Sequence, residues 1–187
     1  MTNIGQCHLE NLKTRDGILK AKTEVFAHMP ASGRVILNGD DDKLQQADTL
    51  GMEKHFFGLQ GQEFFGSAIA GHVDHVDALL HTPQWEHAVS IPIPGEHNVY
   101  NALAATAAGT LLGLSEQEIL AGIEQVETIA GRNHFIEAHG MTVIDDCYNA
   151  NPQAMEEALK LLAVTPARRR AAVLGDMGEL GELTVSA

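Results

Sequence analysis

GEHNVYNALAA, residues 95–105, runs from a glycine through His97, Asn98 and Asn101 into an alanine-rich tract. Glycine permits the tight turn, and alanine is the strongest helix former, so a helix is expected over residues 98–112 with Gly113 as its stop. Asn98 and Asn101 are three residues apart and share a face of that helix. A side-chain amide both donates and accepts, as the edge of adenine requires. Asn98 reads equally as a plain N-cap, whereas Asn101 reads better as a binding residue. His97 either belongs to the same edge or packs beside it.

Two further stretches extend this reading. In GRNHF, residues 131–135, Arg132 has the fork geometry to hold a phosphate bidentately, although a surface arginine is the plainer account. In DDCYNANP, residues 145–152, Asp146 ends an apolar strand, where a carboxylate can take ribose hydroxyls, and Asp145 can satisfy backbone groups at the turn. Asn149 and Asn151 either orient a polar substrate or make turns. Together these segments read as two pieces of a nucleotide site on either side of a domain boundary near residues 128–131. No G-x-x-x-x-G-K-[ST] phosphate loop occurs in the sequence.

Upstream, residues 12–26 have helical spacing, ended by Pro30 and Gly33. Residues 34–42, RVILNGDDD, read as a strand entering an acidic loop, a position where open α/β sheets place ligands. Residues 54–57, 63–69, 72–80 and 86–93 read as short strands of a small antiparallel insertion. Ser115 and Glu118 form a capping-box pattern for a helix over residues 116–126. After the junction, a buried strand at 141–146, a helix at 152–162 and a strand at 171–175 predict a parallel sheet in a Rossmann-like second domain. His8 near Glu10, with Lys22 on the next helix, offers a weak metal-ligand pattern; a polar helix entry is the plainer account. The other histidines, His72 and His75 among them, have no ligand spacing that stands out.

Composition narrows the class. The 187 residues suit one large domain or parts of two, and 44% hydrophobic residues can furnish a core. A net charge of -13 argues against nonspecific nucleic-acid binding, but local positive groups and backbone amides can still hold phosphate. Two distant cysteines, Cys7 and Cys147, suggest a reduced, cytoplasmic setting rather than a disulfide framework. Neither a bilayer-length apolar run nor a signal-peptide pattern is present in the sequence. The dense polar motif close to Met1 and the expected strand close to the other end read as part of a longer chain.

Seven motifs then occur in the order found in the Mur ligases: TNIGQCHLE, KAKTEVF, LNGDDD, GEHNVYNALAA, GRNHF, DDCYNANP and VLGDMGELG. The chain resembles that family over nearly its whole length. The resemblance implies an α/β architecture: residues 1–129 as the latter part of a central ATP-binding domain without its P-loop, and 130–187 as the start of a Rossmann-like C-terminal domain. It further implies ATP and Mg²⁺ as cofactors. By motif, His8 and Lys22 would hold metal, Lys22 as a carbamate; Asn101 would contact adenine, Arg132 phosphate, and Asp146 ribose. Lys22 and Arg132 would serve the catalytic step, and Tyr148, Asn149 and Asn151 would face the substrates.

DDCYNANP and GDMGELG are most like the family member that joins D-alanyl-D-alanine to UDP-N-acetylmuramoyl-tripeptide through an acyl phosphate, in the cytoplasm and as a monomer. The alternatives are another Mur ligase, such as a tripeptide-recycling one, or a noncatalytic nucleotide-binding or interaction module. A segment of this extent without a P-loop is expected to be inactive alone.

Overall fold

Thr14 decides where the first long helix starts. Its side chain accepts the amide of Gly17 at 3.1 Å, capping α2 (Arg15–Thr23) behind a short α1 (Leu9–Leu12). Lys13 between them has φ 64°, outside helical space, so the helix expected over residues 12–26 is broken there. It ends in a 3-10 turn, Glu24–His28. The computed structural model describes residues 1–6 and 9–178.

One mixed sheet dominates the first unit. Its order is β1 (Arg34–Asn38), β2 (Glu53–Gly58), β3 (Phe64–Gly71), β4 (Val76–His81) and β5 (Glu86–Ile91). β1 and β2 run parallel, β2 meets β3 in parallel over two residue pairs, and β3–β4–β5 is antiparallel. Of the four strands read as an antiparallel insertion, residues 54–57 lie instead in β2, parallel to β1 and β3, and only β3, β4 and β5 are antiparallel. Val76, Ala78 and Leu80 alternate inward on β4, as the two-residue period of a strand requires.

Helix α4 (His97–Leu111) lies on this sheet and buries Val99, Ala102, Leu103 and Ala107 with Phe57, Phe64 and Leu80. Gly66 allows the approach: a Cβ there would lie 2.9 Å from Val99 Cγ1. Gly113, at φ 82°, follows the helix, and α5 (Glu116–Glu124) begins with the Ser115–Glu118 capping box. A second apolar cluster, including Ile4, Ile18, Val35, Leu37 and Leu44, joins α2 and α3 (Asp42–Gln45) to β1.

The acidic loop after β1 is committed to this scaffold rather than left open for a ligand. Asp41 accepts the amides of Ile4, Lys43 and Leu44, capping α3. Asp42 pairs with Arg15. Asp40 accepts from the Leu59 amide and the Tyr100 hydroxyl, tying the sheet to α4. Burial, and then the hydrogen bond to Asp40, push the Tyr100 hydroxyl up to about 12.

The second unit contains β6 (His134–Ala138), β7 (Met141–Asp145) and α6 (Pro152–Val164). Here the structure departs from the expected parallel sheet. Among the described residues β6 and β7 form an antiparallel pair, and residues 171–175 take no strand. Strands persist by hydrogen bonding to a neighbour, and residues 171–175 pair with neither β6 nor β7. Nor is β7 buried as expected: Met141 and Val143 are exposed.

Leu103, at 0% exposure, touches both layers of the main core. Leu103→Ala is predicted to lower stability by about 2–5 kcal/mol, read as a drop in the urea midpoint at unchanged m-value.

Candidate nucleotide site

The first turn of α4 is built around a buried amide. Asn98 is 8% exposed and donates its Nδ2 to the Pro94 carbonyl at 2.8 Å. Its Oδ1 accepts from Asn101 Nδ2 at 3.0 Å. The cap position belongs to Glu96, which makes no side-chain cap bond, so the N-cap reading of Asn98 is corrected. Asn98 instead fixes the preceding loop and aims Asn101. Gly95, at φ 103°, leaves the room into which the His97 ring folds; a Cβ there would lie 2.6 Å from His97 Cε1.

Asn98 and Asn101 form the polar edge of a cavity of about 420 Å³ between α4, α5 and the end of β5. Its walls are apolar, with Ile91, Ile93, Ala105, Ile119 and Ile123 among them. With one Asn101 N–H given to Asn98, its Oδ1 and second N–H remain for a ligand. An apolar slot with one amide edge suits a planar heteroaromatic ring.

The second unit carries the other residues singled out by motif. Asp146, just after β7, accepts the Asn133 amide through Oδ1 at 3.2 Å. Asp145 accepts the Gly131 amide at 3.0 Å, as expected for a turn carboxylate. The Cys147 thiol first, and then the Gly131 amide, hold Asp145 below its ordinary range. Hydrogen bonding to Asp145 raises the thiol in turn, which disfavours a reactive thiolate. Arg132 lies 4.2 Å above the Tyr148 ring centroid. Stacking covers one guanidinium face and leaves its N–H edges for an anion.

The two units meet at His97. Burial lowers its pKa, while the nearby carboxylates of Glu157 and Asp146 act in the opposite direction. Asp146 thus acts electrostatically on the residue adjacent to Asn98. Asn151 is in a different position from a free substrate ligand: its Oδ1 caps α6 by accepting the Ala154 amide at 2.9 Å. Tyr148 and Asn149 are exposed.

Lys22 lies near the end of α2, away from the asparagine edge, and donates to the Asn3 carbonyl at 2.9 Å. His8, the other residue read as a metal ligand, lies outside the described residues. As an ammonium, Lys22 cannot ligate a cation; a carbamate on its exposed amine would offer hard oxygen donors. Sequence reasoning missed the positioning role of Asn98 and gave His72 and His75 no role, although the structure groups them with Asp77. The signal was a turn carrying H-x-x-H-x-D between two strands.

Comparison with known proteins agrees with the two-unit architecture. Residues 1–109 match the Mur ligase middle domain, and residues 131–186 match the Mur ligase, glutamate ligase domain. The chain belongs to the Mur ligase family.

Within that family it is similar to UDP-N-acetylmuramoyl-tripeptide--D-alanyl-D-alanine ligase of Escherichia coli (strain K12), 34% identical over 186 residues, covering 97% of this chain and 41% of that protein. The protein of the same name from Bacillus subtilis (strain 168) is 33% identical, over 98% of this chain and 40% of its own. Among solved structures, MurF from Acinetobacter baumannii superposes with a TM-score of 0.91 at 36% identity, over 99% of this chain and 41% of that one. MurF ligase from Thermotoga maritima in complex with ADP gives 0.85 at 25% identity, over 98% and 43%. The chain spans about two fifths of the length of the curated relatives it matches.

His97 sets a pH dependence. Its folded pKa lies below the ordinary 6.5, so as pH falls through that value the unfolded chain takes up a proton that the folded chain resists. The unfolded state then binds more protons, and this histidine's contribution to stability falls with pH. His97→Asn is predicted to lose less stability than the parent chain between about pH 7 and pH 5, measured by urea denaturation at each pH.

Proposed function

We propose that this chain forms the adenine- and ribose-binding side of an ATP-dependent ligase that joins D-alanyl-D-alanine to UDP-N-acetylmuramoyl-tripeptide during peptidoglycan precursor synthesis. The supporting observation is the cavity that His97, beside the Asn98–Asn101 edge, shares with Asn133 of the second unit, whose amide Asp146 accepts. The names of the similar proteins supply the substrates. The domain boundary falls at residues 129–130, the site is cytoplasmic, and the working ligase is a monomer.

In this reading Asn101 accepts from the adenine amino group through Oδ1 and donates to a ring nitrogen, while the apolar walls exclude water from the ring. Asp146 has one oxygen engaged by Asn133 and offers the other to ribose hydroxyls. Arg132, backed by Tyr148, presents its N–H edges to phosphate. Tyr148, Asn149 and the amide nitrogen of Asn151 face the peptide substrates.

Mg²⁺, held by His8 and a Lys22 carbamate, would offset phosphate charge. The carboxylate that ends the tripeptide is a poor electrophile. Its attack on the γ-phosphorus of ATP forms a new P–O bond and expels ADP, leaving an acyl phosphate. The amine of D-alanyl-D-alanine then attacks the acyl carbon, loses a proton and displaces phosphate. Arg132 stabilises charge in the first step, and closure of the second unit over the nucleotide keeps water from the acyl phosphate.

The test uses a ligase that carries this chain together with a G-x-x-x-x-G-K-[ST] loop. Phosphate release should require both UDP-N-acetylmuramoyl-tripeptide and D-alanyl-D-alanine. Release with the tripeptide and a different amine would overturn the substrate assignment, and no release with any peptide acceptor would favour a noncatalytic module. Asn101→Ala should raise KM for ATP by roughly fivefold to a hundredfold, the equivalent of two lost hydrogen bonds, with KM for the dipeptide unchanged.

A further inference from the structure

The turn between β3 and β4 contains a side-chain cluster that the ligase reaction does not use. His72 Nε2 lies 3.2 Å from Asp77 Oδ2, and His75 Nε2 lies 3.7 Å from the same oxygen. All three ligand atoms fall within 4.8 Å of one another. The two imidazole rings are stacked, with centroids 4.1 Å apart and planes 10° apart; because each lone pair lies in its ring plane, an ion shared by both requires one ring to turn out of the stack. The backbone holds this arrangement, because the His72 amide donates to the His75 carbonyl at 2.9 Å and closes the turn.

Behind His75 stands a second carboxylate. His75 Nδ1 lies 2.7 Å from Asp74 Oδ1. A proton on Nδ1 shared with Asp74 leaves the lone pair of Nε2 free, on the nitrogen that lies 3.7 Å from Asp77 Oδ2. A carboxylate on the far nitrogen of a ligating histidine fixes its tautomer and raises its basicity, as in carboxylate–histidine–zinc triads. Such an arrangement goes beyond ordinary surface ion pairing, which needs no orienting partner on the other ring nitrogen.

We propose that His72, His75 and Asp77 form a binding site for a divalent transition-metal ion of the zinc class, with Asp74 as the positioning residue for His75. Zinc bonds of roughly 2.0–2.1 Å place neighbouring tetrahedral ligands about 3.3 Å apart, close to the spacing already present at Asp77. Two imidazole nitrogens and one carboxylate suit Zn²⁺, Co²⁺, Ni²⁺ or Cu²⁺; Mg²⁺ prefers oxygen ligands and retains its waters. Three protein ligands leave a fourth position for water. The site shares no residue with the asparagine edge or with Lys22. It stands at the rim of a cavity of about 500 Å³, where His72 faces Glu157, Lys160 and Leu161 of α6.

Titration of the full 187-residue chain with Co²⁺, followed by visible absorption, tests the assignment. One equivalent should give d–d bands that Zn²⁺ removes and excess Mg²⁺ leaves unchanged. His72→Gln, His75→Gln and Asp77→Asn should each remove the bands while circular dichroism stays that of the parent. Asp74→Asn, which keeps all three ligands, should weaken binding by about 10–100-fold. His139→Gln, at an exposed histidine elsewhere, should leave binding unchanged. Absence of bands in the parent, bands that survive His75→Gln, displacement by Mg²⁺, or parent affinity in Asp74→Asn would each overturn the proposal.

Discussion

A buried amide cannot be left without partners, and the first turn of α4 is arranged around that constraint. Asn98 sits where α4 leaves the loop after β5, with almost no access to water. It satisfies its amide with the Pro94 carbonyl on one side and Asn101 on the other. Those two bonds fix the angle at which the chain enters the helix and the direction of the Asn101 side chain. The packing of Val99 and Leu103 against the sheet then holds the same turn from below. Asn101 is therefore held in one direction by Asn98; in the proposed function this orientation would reduce the ordering cost of binding.

The second unit depends on local polar ties more than on burial. None of the α6 residues is buried, and the β6–β7 pair is largely exposed. Gly131 and Asn133 donate their amides to Asp145 and Asp146, so the arginine segment and the end of β7 are held as one piece. Arg132 and Tyr148 complete it by stacking. Of these two carboxylates Asp146, together with Glu157 of α6, also places negative charge toward His97 at the start of α4. Asp146 thus contributes both to local geometry and to the electrostatic link with the first unit.

Much of this was legible in the sequence where the signal is local. The helix of residues 97–111, its glycine stop and the Ser115–Glu118 box follow from composition and capping chemistry, and the structure has them. Thr14 escaped notice because the apolar spacing runs on across it, although its side chain starts a new helix. Asn98 was ambiguous because capping and burial use the same side chain, and only the position of Glu96 distinguishes them. The strand expected at residues 171–175 depends on a partner elsewhere in space, which no local pattern supplies. The acidic run at residues 40–42 looked like a ligand loop; its carboxylates instead satisfy distant amides and the Tyr100 hydroxyl. His72, His75 and Asp77 converge through the turn that the His72–His75 backbone bond closes, which the H-x-x-H-x-D spacing marks without fixing its geometry.

The most direct measurement is an amide chemical-shift map of the isotopically labelled chain titrated with ADP. The account predicts changes that begin at Asn98, Asn101 and Ala105, extend to Ile119 and Ile123 across the cavity, and include Asp146. Changes confined to other surfaces, or an unchanged spectrum at saturating ADP in a ligase that carries the phosphate loop, would contradict it.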